Sequence, residues 1–207
     1  MSTGGHLDED EGGECVLDIQ PTLGGTRGDH RHVRPTGVER TFPPDELIVS
    51  KTDRRGVITY ANDVFLRVSG YELDEVLGRP HNLIRHPEMP RALFALLWRT
   101  LAEGRELFAY INNLAADGGH YWVLAHVTPS YDAECRVVGY HSNRRRPAPA
   151  AVARMVPLYR QLLAEERRHP TARAAVEASS RLLDELVAVE GDSYDEFVWS
   201  VINREET

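Results

Sequence analysis

The sequence predicts an α+β fold in which five antiparallel strands form a single sheet with helices grouped on one side. Three observations support this prediction. Residues 47–60 contain two β-rich runs around a turn, residues 88–101 repeat apolar side chains at helical spacing, and residues 106–142 contain three further runs of strand type. Because the helical stretch is inserted between the second and third strands, we expect one sheet that these helices cover.

The first two strands are predicted to form a hairpin, because the β-rich runs at 47–49 and 57–60 flank a polar turn that closes at Gly56. Asn62 or Asp63 then caps a short helix, since either side chain can accept a hydrogen bond from the free amides of a first helical turn. This capping role is an alternative to any role of Asn62 in binding a ligand.

Glycines and prolines divide the next stretch of the chain. Gly70 is expected to end the first helix, and a second short helix spans 72–77. Residues 79–87 contain two prolines and no apolar period, which is typical of a loop. The helix predicted over 88–101 has one apolar stripe that faces the core, formed by Leu93, Phe94, Leu97, Trp98 and Leu101.

Three strands are predicted after this helix, over 106–114, 120–128 and 136–142. In the middle strand, side chains alternate between Tyr121, Val123, Ala125 and Val127 on one face and Trp122, Leu124, His126 and Thr128 on the other. Because both faces carry large apolar residues, both faces of the sheet are expected to be at least partly covered.

The C-terminal segment is predicted to form three helices. The first carries an apolar face over 152–163 and contains Pro157, which predicts a kink. The second spans about 171–189, and the third begins at a capping box formed by Ser193 and Glu196. The apolar stripes of these helices must be buried against the sheet, against one another or against a second chain.

The chain has 207 residues, of which 42% are hydrophobic, enough for one well-cored domain and an accessory segment. We expect the domain over 45–147, followed by helices for signal relay or dimerisation over 148–207. Residues 1–44 hold clustered acids and many glycines without an apolar period, so they are predicted to form a mobile tail.

The charge and composition exclude several classes of protein. The formal net charge of -8 argues against a nucleic-acid partner, and the one dense basic run, 144–146, is interpreted as a solvated strand end. No stretch approaches the ~20 apolar residues of a membrane span, and the acidic start does not match a signal peptide. We therefore expect a soluble, cytoplasmic protein. Cys15 and Cys135 are too few for a disulfide scaffold.

Several short motifs fall in order along these elements: Tyr60-Ala61-Asn62-Asp63, Ser69-Gly70-Tyr71, Leu77-Gly78 and Asp117-Gly118-Gly119-His120-Tyr121-Trp122. Together with the order of strands and helices, they resemble the PAS sensory domain. The loop at 80–90 is similar to the branch found in aerotaxis receptors, whose PAS domain binds FAD. The similarity extends from about residue 48 to residue 164.

The resemblance implies that FAD is bound without a covalent bond and that six side chains hold it or respond to it: Asn62, Arg85, His86, Phe94, Trp98 and Asn113. The chemistry of these side chains is compatible with that role. Phe94 and Trp98 lie four residues apart, so both can line one wall of a flavin slot. Asn113 offers a donor and an acceptor to an imide edge, and Arg85 can bind phosphate or ring oxygens.

Each of these side chains also has an explanation that needs no ligand. At helical spacing, Phe94 and Trp98 are equally explained as core residues. Arg85 could pair with the nearby acid Glu88, and His86 could be a surface residue of the loop.

Two further features bear on the cofactor. Leu107 stands where the aerotaxis branch usually carries a tryptophan, so one aromatic contact is absent or is replaced by Phe108 or Tyr110. Heme is the alternative cofactor, with His126 or His141 as its candidate ligand.

The sequence thus predicts a sensor of redox state or oxygen that relays its signal to a partner protein, which supplies the output, and that could pair as a homodimer. A cofactor-free PAS module for protein interaction or dimerisation is the alternative. We do not expect an enzyme, because no nucleophile elbow, phosphate-binding glycine loop, zinc-protease motif or dinucleotide fingerprint is present.

Overall fold

The computed structural model describes residues 33–189, 191 and 193–203. Within these residues the strands are β1 (Ile48–Asp53), β2 (Ile58–Ala61), β3 (Leu107–Leu114), β4 (His120–Tyr131) and β5 (Val137–Arg145). The helices are α1 (Asp63–Ser69), α2 (Leu73–Val76), α3 (Arg91–Ala102), α4 (Pro149–Glu166), α5 (Ala172–Val187) and α6 (Tyr194–Asn203). The strands form one antiparallel sheet in the order β2-β1-β5-β4-β3. The predicted α+β class is confirmed.

Strand register defines two faces of the sheet. Asn113 of β3 pairs with Tyr121 of β4, and Ser142 of β5 pairs with Ser50 of β1. We call the face that carries these four side chains the inner face, and the opposite one, which carries Phe108, the outer face. Side chains of the two faces alternate along every strand, so neighbours in sequence lie on opposite sides of the sheet.

The helices between β2 and β3 cover the inner face. Asn62 caps α1, because its Oδ1 accepts a hydrogen bond of 3.0 Å from the Phe65 amide, and Gly70 ends that helix in the left-handed region at φ 72°. The expected loop at 79–87 contains one turn of 3₁₀ helix, His81–Ile84. Pro80 is the N-cap of this turn, and its carbonyl accepts a hydrogen bond of 3.0 Å from the Leu83 amide.

The C-terminal helices pack on the same domain. On the outer face, the Tyr159 hydroxyl of α4 donates a hydrogen bond of 2.6 Å to the Tyr110 carbonyl, and its ring stacks 6.2 Å from that of Trp122. Trp199 of α6 lies 5.1 Å from Phe108. Helix α5 packs mainly against α3 and α4 and also contacts α6. The apolar stripes are therefore buried against the sheet and against one another, two of the three arrangements that the sequence allows.

Part of the expected N-terminal tail lies against the domain. The Thr36 amide donates to the Gly118 carbonyl and the Arg40 amide to the His120 carbonyl, so residues 33–42 run beside the β3–β4 turn. Phe42 is only 2% exposed. The boundary expected near residue 44 therefore differs from the structure, because one aromatic anchor holds this segment. Residues 1–32 lie outside the described residues.

Within the described part of the chain, none of the helices combines the length and the apolar character that crossing a bilayer requires.

Candidate functional site

Asn113 ends the inner face of β3 as a buried amide. Its side chain is 3% exposed, and Nδ2 has no hydrogen-bond partner among the described residues. A backbone bridge between Arg85 and Asn113 brings the loop at 80–90 to this strand. A buried donor without a partner costs free energy, which makes this amide a place where a ligand oxygen would be stabilised.

Arg85 lies on the loop against an aromatic ring. Its guanidinium carbon is 4.1 Å from the centroid of the Phe94 ring, and Nη2 donates a hydrogen bond of 2.8 Å to the Met89 carbonyl. Burial lowers the pKa of Arg85 to about 10, although Glu166 acts in the opposite direction. The alternative ion pair with Glu88 does not form among the described residues, so the guanidinium keeps free donors.

His86 is buried rather than exposed on the loop, at 4% exposure, which corrects the surface alternative. Its Nδ1 accepts a hydrogen bond of 3.2 Å from the Glu88 amide, and its ring lies 5.9 Å from that of His120. Burial lowers the pKa of His86. The imidazole is thus held neutral at the base of the loop.

The two aromatic residues of α3 are half-buried and contact different neighbours. Phe94 meets Arg85, whereas Trp98 meets Tyr140 of β5 edge to face, with ring centroids 5.4 Å apart. Trp98 also approaches Gly56 so closely that a Cβ there would lie 3.2 Å from the indole. Phe94 therefore lies at the loop end of α3 and Trp98 at the hairpin end.

Asn62 uses its side chain to join β1 to α1. Its Oδ1 accepts hydrogen bonds from the amides of Val49 and Phe65. Its Nδ2 donates a hydrogen bond of 2.9 Å to the Leu47 carbonyl. These three hydrogen bonds match the capping alternative. A role of Asn62 toward a ligand stays a prediction.

The missing tryptophan is not replaced by its sequence neighbours. Leu107 is a buried inner-face residue, whereas Phe108 and Tyr110 point to the outer face by strand alternation. Phe108 stacks there on His126 at 4.1 Å. The candidate site is therefore lined by an aliphatic side chain at this position.

The structure adds three residues to the site that sequence reasoning missed. Both terminal nitrogens of Arg144 donate hydrogen bonds of 3.1 Å to the Ser50 hydroxyl. The Nη2 atom also lies 2.7 Å from Nε2 of His81. We call Arg144, Ser50 and His81 the Arg144 cluster. Arg144 is only 4% exposed, so the interpretation of 144–146 as a solvated strand end is wrong at its first residue.

The electrostatics of the Arg144 cluster are unusual, because none of its described partners is an acid. Burial lowers the pKa of Arg144 to about 10. Burial and the adjacent guanidinium lower the pKa of His81 to about 3, so this imidazole is neutral. Nearby on the inner face, the Ser142 hydroxyl and the Tyr121 hydroxyl are buried without a hydrogen-bond partner among the described residues.

These groups fit the needs of a flavin. A tricyclic ring with carbonyl oxygens and an imide requires an apolar slot with a few fixed donors. The inner face supplies the orphaned Asn113 amide and a guanidinium without a counter-charge. Ala109 and Ala125 lie in the same cross-strand row as Arg144, and the pair Ile111 and Val123 separates this row from Asn113.

Other features of the described residues do not include the predicted site residues. One surface depression of about 460 Å³ and another of about 270 Å³ both border Asp195, and neither contains a predicted site residue. His126 and His141 point to the outer face, where they bond Glu106 and Asn143, so the two candidate heme ligands face away from the inner side. No group of three or more metal-binding side chains occurs in the described ranges.

The inserted helices, the strand order and the loop that meets β3 define the PAS class of sensory domains, and residues 58–143 match the family model described as PAS fold. This chain carries a PAS domain, as its sequence predicts. Over 118 residues it is 43% identical to the aerotaxis receptor of Escherichia coli (strain K12), covering 57% of this chain and 23% of that protein. The PAS domain is thus of a kind found in signal transduction.

Two further comparisons found similar proteins. The chain is 33% identical over 99 residues to the nitrogen fixation regulatory protein of Klebsiella pneumoniae, which covers 48% of this chain and 20% of that protein. The light-state structure of the blue-light photoreceptor Aureochrome1 LOV is 25% identical, with a TM-score of 0.48, covering 55% of this chain and 91% of that one. The chain spans less than a quarter of the length of the two curated relatives.

Proposed function

We propose that this chain is a sensor of redox state or oxygen that binds FAD without a covalent bond between the inner face and α3. The observation that carries the proposal is the buried Asn113 amide, whose Nδ2 has no partner among the described residues. The similarity to a protein named as an aerotaxis receptor supports the same assignment. When bound, a flavin would supply reversible uptake of electrons.

The side chains of the loop and of β3 have separate roles in this proposal. Asn113 donates from Nδ2 to an oxygen of the ring edge, and Arg85 uses its free donors for phosphate or ring oxygens. Phe94 keeps the guanidinium in place by a contact of 4.1 Å. His86 stays neutral and supports the loop through its bond to the Glu88 amide.

A route to the C-terminal helices starts at the same loop. Helix α3 follows the loop directly, and its first amides, those of Arg91 and Ala92, donate to Oε1 of Glu166 at the end of α4. The Ser179 hydroxyl of α5 donates to the same oxygen, at 3.1 Å. A shift of the loop on reduction would therefore alter the packing of α4 and α5, which present the signal to a partner protein.

The test is the visible absorbance of the purified full chain, before and after incubation with FAD. We expect flavin bands that bleach with dithionite. Asn113→Ala should lose bound FAD, whereas Asn112→Ala, its outer-face neighbour, should keep it, because only Asn113 lies on the inner face. A folded protein that stays colourless after reconstitution, or a Soret band of heme, would contradict the proposal.

A further inference from the structure

The charge of Arg144 is uncompensated in the described part of the protein. Its guanidinium is buried, and its hydrogen-bond partners are a serine hydroxyl and a neutral imidazole. Removing a cation from water without an opposite charge is unfavourable, so buried arginines normally meet a carboxylate. The Arg144 cluster is therefore incomplete unless an electron-rich group approaches it.

The position of Arg144 determines what kind of group can approach. It lies in the middle of the sheet, where it pairs with Ala125, which in turn pairs with Ala109 of β3. These two alanines present only methyl groups on the inner face beside Arg144, so they leave more room for a planar ring than larger side chains would. Arg85, by contrast, lies on the loop and is the cation available to a flexible, strongly hydrated phosphate chain.

We propose that Arg144 binds the oxygen-bearing edge of the flavin ring and that its charge favours the reduced ring over the oxidised one. This inference rests on the proposed function. In the test reaction, dithionite donates two electrons to the ring and is oxidised to sulfite, while one proton is taken up from water. The ring gains one net negative charge, which the guanidinium stabilises. Ser50 and His81 are positioning residues that fix the direction of the guanidinium.

The test compares Arg144→Met with Arg145→Met, because Arg145 is the exposed neighbour on the same strand. Each full-length variant is titrated with riboflavin and with FAD, and its reduction potential is measured. We expect Arg144→Met to lower the affinity for both ligands about tenfold, because a charge-assisted hydrogen bond is lost. If the affinity for the reduced ring falls tenfold more than the affinity for the oxidised ring, the reduction potential falls by about 30 mV. Arg145→Met should change neither quantity.

Two further variants keep the inference falsifiable if Arg144→Met does not fold. Arg144→Lys keeps the charge, so the reduction potential of the bound flavin should stay close to the wild-type value. Arg144→Gln keeps a hydrogen-bond donor without the charge, so it should lower that potential. Failure of the wild-type chain to bind either ligand would overturn the proposed function and this inference together. Binding by the wild type with an unchanged potential in Arg144→Gln and Arg144→Met would overturn only the role of Arg144. If Arg144→Met weakens the binding of FAD but not of riboflavin, Arg144 contacts the phosphate chain. That result would also contradict its proposed contact with the ring.

Discussion

The Nη2 atom of Arg144 lies 2.7 Å from the Nε2 atom of His81, with the arginine as donor and the imidazole as acceptor. A guanidinium can only donate, so Nε2 carries no proton and His81 is neutral. The Ser50 hydroxyl, 3.2 Å from the same nitrogen, also meets both nitrogens of the guanidinium. A neutral histidine thus supports a buried cation on the inner face.

This pair makes stability depend on pH. The pKa of His81 is about 3 in the folded protein, well below the ordinary histidine value of 6.5, because of burial and of the adjacent Arg144. Between these two pKa values the unfolded chain therefore binds more protons at His81 than the folded protein does. The contribution of His81 to stability is complete above about pH 6.5 and is lost as the pH falls toward 3. We expect this residue to contribute a slope of up to about 1.4 kcal/mol per pH unit.

Urea unfolding at pH 7 and pH 5 checks the expectation. His81→Gln retains an acceptor for Arg144 and cannot titrate, so its free energy of unfolding should change less between the two pH values. His86, whose pKa is lowered in the same direction, leaves a residual slope in the variant. Equal slopes for wild type and variant would show that His81 titrates normally in the fold.

Glu166 is expected to stabilise the start of α3. Its Oε1 accepts from the amides of Arg91 and Ala92, which replaces a local helix cap. Because N-cap contacts contribute about 0.5–2 kcal/mol, Glu166→Ala should lower the free energy of unfolding by that amount. Glu165→Gln is the matched control, since its partners Arg168 and His169 are near the surface. A loss for Glu165→Gln equal to that for Glu166→Ala would argue against the capping role.

The hydroxyl of Tyr159 should hold α4 on the outer face. It donates 2.6 Å to the Tyr110 carbonyl in a buried position. We expect Tyr159→Phe to cost about 1–3 kcal/mol, the range for losing a buried hydrogen bond. Tyr131→Phe, which removes an exposed bond to the Gly104 carbonyl, should cost clearly less in the same thermal unfolding measurement. Indistinguishable melting temperatures of the two variants would contradict this contact.

Gly118 is expected to be required for docking of the segment at 33–42. Its φ is 88°, and a Cβ there would lie 2.3 Å from the Arg34 carbonyl oxygen. Gly37 has φ 75°, but a Cβ there would meet no atom within 4 Å, so Gly37→Ala carries the backbone strain without the clash. Limited proteolysis should therefore cut near residue 40 faster in Gly118→Ala than in Gly37→Ala. Equal rates would mean that the close approach is dispensable.

The order of elements could be predicted because each leaves a local pattern. The hairpin, the apolar stripe of α3 and the capping box of α6 are read from neighbouring residues, and the Ser193 hydroxyl indeed accepts from the Glu196 amide. The resemblance likewise predicts Asn113, Arg85 and His86 as site residues, and a backbone bridge brings Arg85 to Asn113. Their role toward a ligand stays a prediction.

The Arg144 cluster could not be predicted in this way. A run of three arginines has no periodic signal, and strand alternation alone shows only that Arg144 and Arg145 face opposite sides. Arg144 is buried because β5 is the central strand, with β1 on one side and β4 on the other. That position depends on pairing between residues about 90 apart, which no local pattern reveals. The anchoring of the N-terminal segment by Phe42 is non-local for the same reason.

FAD binding is tested most directly by the visible spectrum of the purified, full-length chain after reconstitution with FAD and removal of free ligand. We predict stoichiometric flavin absorbance that bleaches with dithionite and returns in air, and that is lost in Asn113→Ala but kept in Asn112→Ala. A folded wild-type protein that retains no flavin would show that this chain is not a flavin-binding sensor.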